Sequence, residues 1–372
     1  RVQQTLSFYL VALAAMNLFH GSLSDCLGRR PVIVLSLVIY TVSAVISVAV
    51  ESFELLLLLR SLQGLSAGSG MIVGRAIIRD CFAGPEAHRA MAQVTAVSGI
   101  GPIAAPIVGG WLHLWFGWRG PFVFLAFLGA ALWAMCFFGL PETLAKESRQ
   151  PFHASKLLRS YLKAICHPAF ILICLSVGLG GGGFLLYVAT APDVVLNILK
   201  LSGTQFGWVF VPMVSGLIAG SALSARLAAR VPAGKLVFRG FCLMALGAAI
   251  NMVVSLWFMR LPWAVIGLPV YTFGFALMAP VATIQALDLN PTRKGLASSL
   301  QGFIQTLIFA AMAAFVSKLV HGSAPRHGVA LLILMAFSYL AWYGYAALSP
   351  RDDSPNTDEM DPAAAVDPTG SV

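Results

Sequence analysis

Gly21-Ser22-Leu23-Ser24-Asp25-Cys26-Leu27-Gly28-Arg29-Arg30-Pro31 is the stretch whose reading decides the fold. It is a brief polar interval holding one acid and two arginines. It separates two long apolar runs, one ending at Phe19 and the other beginning at Val32. A connection this short forces two helices to lie antiparallel with their ends adjacent. Its glycines let the backbone turn, and Asp25 stands where helix ends and arginines gather. The same alternation of long apolar block and short polar link recurs along the whole chain.

Composition agrees. The 372 residues are 58% hydrophobic and only 10% charged, with a mean hydropathy of +0.83. A soluble domain carries roughly 25% charged residues, so a soluble reading fails at once. The apolar blocks are continuous rather than alternating, which excludes a barrel of strands and leaves helices of about 20 residues that cross a bilayer. The spacing predicts eleven spans, near 2–20, 31–50, 53–74, 90–112, 119–140, 168–190, 206–228, 236–258, 263–286, 296–317 and 328–348. The longest internal link lies between the fifth and sixth. It divides the chain into an N-terminal bundle of five spans (1–140), a linker (141–167), a C-terminal bundle of six (168–350) and an acidic, proline-bearing tail (351–372) expected to be disordered. Within the linker, Lys156, Arg159 and Lys163 recur at helical spacing opposite Leu158, Leu162 and Ile165. That pattern fits a basic amphipathic helix on the inner leaflet, or an ordinary solvated connector.

The net charge of +9 sets topology here rather than marking a nucleic-acid surface. Of the 24 lysines and arginines, 17 fall in the links on one side and six on the other, with Arg60 inside a span. The Asp25 link and the 141–167 linker are therefore expected on the cytoplasmic side, and Arg1 outside. Lys318 and Arg326 run against the rule. The six cysteines stand singly, without Cys-x-x-Cys or Cys/His metal spacing, so they read as packing residues and no metal or cofactor is expected.

Several chemistries are excluded on the same grounds. Gly234-Lys235 is followed by Leu236, so there is no phosphate-binding P-loop for ATP-driven transport. Gly178, Gly180 and Gly183 satisfy G-x-G-x-x-G, but in mid-span with no preceding strand, which favours close packing. The seven histidines fall at the edges of these spans or in links, and no Ser/His/Asp set is visible; the chain does not read as an enzyme.

Arg60 is the sharpest single signal. It lies about seven residues inside the third run, roughly 10 Å deep at 1.5 Å per residue. An arginine at bilayer depth costs from about 2.5 to over 10 kcal/mol, so it faces a cavity or partner unless it snorkels to the interface. No Asp or Glu lies well inside any of the eleven spans to pair with it; Gln63 and Gly64 follow it. Small residues recur at four-residue spacing, Gly64 with Gly68 and Gly70 with Gly74, a pattern for close helix contact. The fourth run holds Gly101, Pro102, Ala105, Pro106, Gly109 and Gly110, which reads as a bent helix or as tight packing. Polar and aromatic residues within spans could line a cavity for amphipathic ligands: Asn17, Tyr187, Trp208, Tyr271, Gln301 and Gln305, with Asn251 and Tyr339.

These motifs together resemble the major facilitator superfamily and, more narrowly, the Bcr/CflA group of drug:proton antiporters, over about 1–350. Gly21 to Pro31 resembles the signature between the superfamily's second and third spans, with Cys26 where a basic residue is usual. Arg60-Ser61-Leu62-Gln63-Gly64 resembles the fourth-span motif. Gly101 with Ala105-Pro106-Ile107-Val108-Gly109-Gly110 resembles the antiporter motif, with Ala105 replacing a glycine. Arg75 to Asp80 and Leu140-Pro141-Glu142-Thr143-Leu144 are similar to the narrower group. A faint repeat, Leu23-Ser24-Asp25 against Leu223-Ser224-Ala225, fits two related halves.

The resemblance implies an all-α polytopic membrane protein of the major facilitator fold, two pseudo-repeated bundles with eleven of twelve helices in this chain. The first span here matches the family's second, so the span that usually carries a membrane-embedded acid is not expected in it. The implied activity is proton-coupled efflux of drug-like, amphipathic small molecules across the inner membrane of a bacterium, by alternating access. The transporter would work as a monomer, without cofactor or nucleic acid. Gly21, Asp25, Gly28, Arg29 and Arg30 would form a gating latch; Arg60, Gln63 and Gly64 would serve proton coupling; Gly101, Pro102, Pro106, Gly109 and Gly110 would form a moving interface. The alternatives are a nutrient importer or facilitator of the same fold, and a truncated remnant that does not couple.

Overall fold

The computed structural model describes residues 2–82, 108–149, 165–202, 205–227, 230–289 and 294–348, with the separate positions 86, 90, 94, 101, 104, 105, 159 and 161–163. Every regular element among the described residues is helical. The long helices are α1 (Val2–Leu27), α2 (Arg29–Ala49), α3 (Phe53–Cys81), α4 (Gly120–Gly139), α5 (Pro168–Pro192), α6 (Gly207–Leu227), α7 (Ala233–Trp257), α8 (Gly267–Asp288), α9 (Lys294–Ala311) and α10 (Ala324–Leu348). Ten stretches among the described residues are long and apolar enough to cross a membrane. The eleventh expected span, 90–112, falls mostly outside the described residues, as do Pro102 and Pro106 and the whole 351–372 tail.

The decisive stretch is more helical than its composition implies. α1 continues through Ser22, Ser24 and Asp25 to Leu27, and α2 begins at Arg29, leaving Gly28 as the single break. Ser24 donates its hydroxyl hydrogen to the Gly21 carbonyl (2.8 Å), and the Gly28 amide donates to the Ser24 carbonyl (3.2 Å). A polar residue therefore leaves the helix no sooner than an apolar one when its hydroxyl is satisfied locally. Gly28 itself sits at φ +104°, ψ 159°, a region open in practice to glycine alone. α3 likewise runs past its apolar stretch to Cys81, carrying Asp80 on a helical turn. Its start is set by Ser52, whose Oγ accepts from the Leu55 amide (3.3 Å).

Helix ends differ elsewhere too. The approach to α4 is helical from 108 to 116, then turns at Gly117 (φ +66°) through Gly117–Arg119. α5 continues past Pro192 as a wider, π-helical turn, Asp193–Ile198, and α9 passes through a similar turn, Met312–Val316, before ending at Val320.

Packing sorts the helices into two sets. α1, α2, α3 and α4 pack in the pairs α1–α3, α2–α3 and α2–α4, whereas α5, α7, α8, α9 and α10 surround a common core that α6 joins through α8. α1 is the element that meets the other set, along α9 and at the outer half of α5, where Leu10 packs with Leu185, Leu186, Ala189, Met312 and Ala313. Large apolar side chains such as Trp115, Phe127, Phe138, Trp257 and Leu319 are left exposed around the circumference. In a protein that crosses a membrane that surface faces lipid. Within the second core the glycines of α5 work by absence of a side chain. A Cβ on Gly183 would press on Leu331 and Tyr271, and Tyr271 donates its hydroxyl hydrogen to the Gly180 carbonyl (3.0 Å).

Candidate functional site: a charged hub and a buried arginine

Arg29 is the centre of the first cluster. Its backbone amide donates to Glu142 Oε1 (2.9 Å), its Nε to Asp80 Oδ2 (3.0 Å), and its Nη1 to Asp25 Oδ1 (2.5 Å) and Ser24 Oγ (2.7 Å). The hub thus joins the end of α1, the start of α2, the end of α3 and the segment after α4. Glu142 also accepts from the Leu144 amide (3.1 Å) and faces Arg149 (3.7 Å), while Thr143 donates to Asp80 (3.2 Å). The break at Gly28 makes this possible: a Cβ there would collide with the Glu142 carboxylate. Gly21 stands further back, with Ile72 of α3 at the limit of contact (4.0 Å).

The structure divides the residues the sequence grouped as a latch. Asp25 and Arg29 meet in the hub. Arg30 does not; its Nη2 donates to the Phe137 carbonyl (2.7 Å) and its guanidinium lies over the Phe137 ring, tying α2 to α4. Asp80, Glu142 and Arg149 complete the hub and were not singled out as site residues. The signal for Asp80 and Glu142 was present in the two short segments, 75–80 and 140–144, that carried part of the family resemblance; Arg149 lies outside both. Arg29 is buried and Asp25 half-exposed, so the contact with the better-covered Asp80 carries more of the energy.

The second cluster lies along the α1–α3 seam. Arg60 donates from Nη1 to Gln63 Oε1 (2.6 Å), and its guanidinium stands 4.6 Å from the centre of the Tyr9 ring. Tyr40 is near enough to share its field. Among the described residues Arg60 forms no ion pair. Gln63 is fully buried, and its Nε2 has no partner among the described residues. The seam is tight because a Cβ on Gly64 would strike the Tyr9 carbonyl and one on Gly68 would strike Asn17 Oδ1. Gly70 and Gly74 repeat the spacing but face open space, so the second small-residue pair makes no helix contact among the described residues. The same holds for Gly101 and Gly109, and Gly110 is half-buried.

The remaining candidate cavity residues do not converge. Asn17 packs on Gly68; Tyr187 donates to Asn251 Oδ1 (2.9 Å) inside the second set; Tyr271 is saturated by Gly180. Gln301 donates to Thr283 Oγ1 (2.9 Å), Gln305 lies against Gly178, and Trp208 is half exposed at the start of α6. Two histidines that the sequence placed at span edges, His20 and His327, are buried within α1 and α10. α1 runs about two turns beyond its apolar block and α10 starts before its own, so both rings lie on helices rather than in links. Among the described residues no cluster of metal-ligating side chains forms.

A profile of the Major Facilitator Superfamily matches residues 2–316. The chain is similar to a bicyclomycin resistance protein homolog of Haemophilus influenzae, 25% identical over 350 residues that cover 92% of this chain and 86% of that protein. It is similar to the chloramphenicol resistance protein CraA of Acinetobacter baumannii, 28% identical with coverage of 91% and 81%. With the multidrug transporter MdfA of Escherichia coli O157:H7 it shares 31% identity over 317 residues, 83% of this chain and 75% of that one. Two solved structures share the fold: the human organic anion transporter MFSD10 (TM-score 0.64, 20% identity, 92% and 83% covered) and a D-xylose-proton symporter (TM-score 0.68, 14% identity, 91% and 86% covered). The chain belongs to the Major Facilitator Superfamily and, within it, to the Bcr/CflA-type group.

Proposed function

We propose that this protein exports amphipathic, drug-like molecules across the cytoplasmic membrane in exchange for protons, by rocking α1–α4 against α5–α10 about a site near the bilayer midplane. Arg60 carries this reading. A guanidinium held inside a span by a ring face and a neutral amide keeps its positive charge without a fixed counter-ion. Such a charge disfavours a second proton nearby and attracts anionic or π-rich groups, so protonation and substrate occupancy compete for one region. The relatives, named as drug-resistance proteins and multidrug transporters, support the substrate class.

The hub around Arg29 supplies the gate on the cytoplasmic side. Its contacts all lie within the α1–α4 set and the segment after it, so they keep the cytoplasmic ends of that set together while it tilts. Asp25→Lys places a like charge beside Arg29 and should slow the cycle at this face.

Reconstitution into liposomes with an imposed proton gradient tests the reading, with ethidium as the probe. The expected outcome is ethidium movement coupled to proton movement in the opposite direction. Arg60→Ala should lower the coupled flux at least about tenfold, equivalent to roughly 1.4 kcal/mol, while thermal unfolding stays cooperative. Proton and ethidium moving in the same direction would favour an importer. Unaltered coupling in Arg60→Ala would remove the basis of the proposal.

A further inference from the structure

The far end of α5 carries a second titratable cluster, remote in sequence from Arg60 and from the Arg29 hub. The π-helical turn after Pro192 turns Asp193 inward, where it is 4% exposed. Its Oδ1 accepts from Asn197 Nδ2 (2.9 Å) and faces His321 Nδ1 (3.2 Å), and its Oδ2 accepts from the Gly322 amide (2.7 Å). One turn earlier, Thr190 Oγ1 stands 3.1 Å from Nε2 of His327, a ring only 2% exposed; the other ring nitrogen, Nδ1, lies 3.0 Å from the Ser323 carbonyl.

Hydrogen accounting gives this ring two satisfied states. A carbonyl only accepts, so Nδ1 carries a hydrogen in both. The Thr190 hydroxyl lies 2.7 Å from the Leu186 carbonyl, four residues back on its own helix. With a neutral imidazole, Thr190 turns its hydrogen to Nε2, and the Leu186 carbonyl keeps its helical bond alone. With a second proton on the ring, Nε2 donates to Thr190, Thr190 donates to the Leu186 carbonyl, and Asp193 supplies the opposite charge. Both states keep the contact between Thr190 and His327, and the second proton makes it charge-assisted and therefore stronger.

The ring also adjoins a space that could hold a water. It borders a cavity of about 10 Å³ as traced by the centre of a water molecule, room for one water, lined by Tyr187, Asn251, Ser255, Met259 and Ala264. Met259 and Ala264 belong to the link between α7 and α8, on the face that the lysine and arginine count puts outside. Among the described residues, the charged groups whose field reaches His327 are Asp193 and His321. α5 adds the Tyr187 phenol and α7 the neutral Asn251 and Ser255, and the exposed Arg326 turns away toward the Leu319 carbonyl.

We propose that His327 is a proton-binding site loaded from the outer face, and that the bound proton fastens the outer end of α5 to α10. The segment it fastens is the one that meets the other helical set: Leu186 and Ala189 share an apolar cluster with Leu10 of α1. External acid would thereby favour closure of the outer contact between α1 and α5. This goes beyond the exchange cycle proposed above and does not depend on its substrate or direction.

The test is NMR of isotope-labelled histidine in the full chain in nanodiscs, between about pH 4.5 and 8. His327 is assigned by its absence from His327→Gln. It should pass from a neutral ring protonated on Nδ1 to an imidazolium. Asp193→Asn should move the midpoint down by about one unit, a tenfold loss of proton affinity, and Thr190→Val should move it the same way. A ring that stays neutral throughout, or a midpoint unmoved by Asp193→Asn, overturns the site. For the consequence, a single Leu10→Cys in a cysteine-free background should react more slowly with an external maleimide as the outer pH falls. Loss of that dependence in Thr190→Val supports the link; an unchanged dependence overturns it.

Discussion

At the scale of single residues, position 28 makes the most exposed commitment. Gly28 combines a backbone region that side chains avoid with a neighbouring carboxylate where a Cβ would stand. Gly28→Ala therefore costs the roughly 1–2 kcal/mol of a left-handed conformation and displaces Glu142 from the Arg29 amide as well. A thermal-unfolding comparison separates the two effects. Gly28→Ala should lower Tm clearly, and adding Glu142→Ala should recover only part of the loss, because the backbone strain remains. Full recovery would mean that the collision alone matters. The acids around Arg29 differ in the same calculable way. Asp80 is the better covered partner, so Asp80→Asn should slow transport and lower Tm more than Asp25→Asn, whose half-exposed carboxylate is screened by water. Equal effects would argue that Asp25 is held in the transporting state more tightly than it is here.

At the scale of elements, one spacing rule met two different fates. Gly64 and Gly68 bring α1 and α3 into backbone contact, whereas Gly70 and Gly74 face open space among the described residues. Gly64→Ala should thus disrupt the α1–α3 seam, misplace Arg60 against Tyr9 and lower both Tm and coupled flux, while Gly70→Ala should leave both close to wild type. Reversal of that order in a detergent unfolding series would contradict the packing described. Spacing could not distinguish these pairs, because a small-residue face says where a helix can be approached and not whether another helix arrives. Helices as such were legible from apolar run length, and the Arg29 neighbourhood from its charges. What stayed hidden was where polar residues extend a helix. Asp25 and Asp80 sit on helical turns past the apolar blocks, and Asp193 rides a π-helical extension of α5. Each extension is sustained by local side-chain or end contacts that leave no periodic apolar trace, so Asp80 and Asp193 fall beyond the expected spans with no sign of the clusters they join.

At the scale of the whole molecule, the question is what holds the two helical sets together at the Asp25 face, and Tyr161 is a specific answer. It lies in the linker, yet is buried, donating its hydroxyl hydrogen to the Leu18 carbonyl of α1 (2.9 Å) while hydrogen-bonded to Ser299 of α9. Burial, opposed in part by the Ser299 bond, pushes the phenol above its ordinary value, so it remains a donor throughout the physiological range. Of the pattern expected of an amphipathic linker helix, Lys156 and Leu158 lie outside the described residues, and the exposed Leu162 and Ile165 fit a leaflet-facing helix and a solvated connector alike. One linker side chain thus spans both sets at the end that the proposed rocking would part. Tyr161→Phe keeps the ring and removes the donor, a net change of about 0.5–1.5 kcal/mol, which shifts a two-state equilibrium by roughly two- to tenfold. Spin labels at Leu27→Cys and Ser298→Cys, both exposed positions at this face, should report a larger population of long distances in Tyr161→Phe than in the parent. If the distance distribution is the same in both, the hydroxyl does not bolt the face shut.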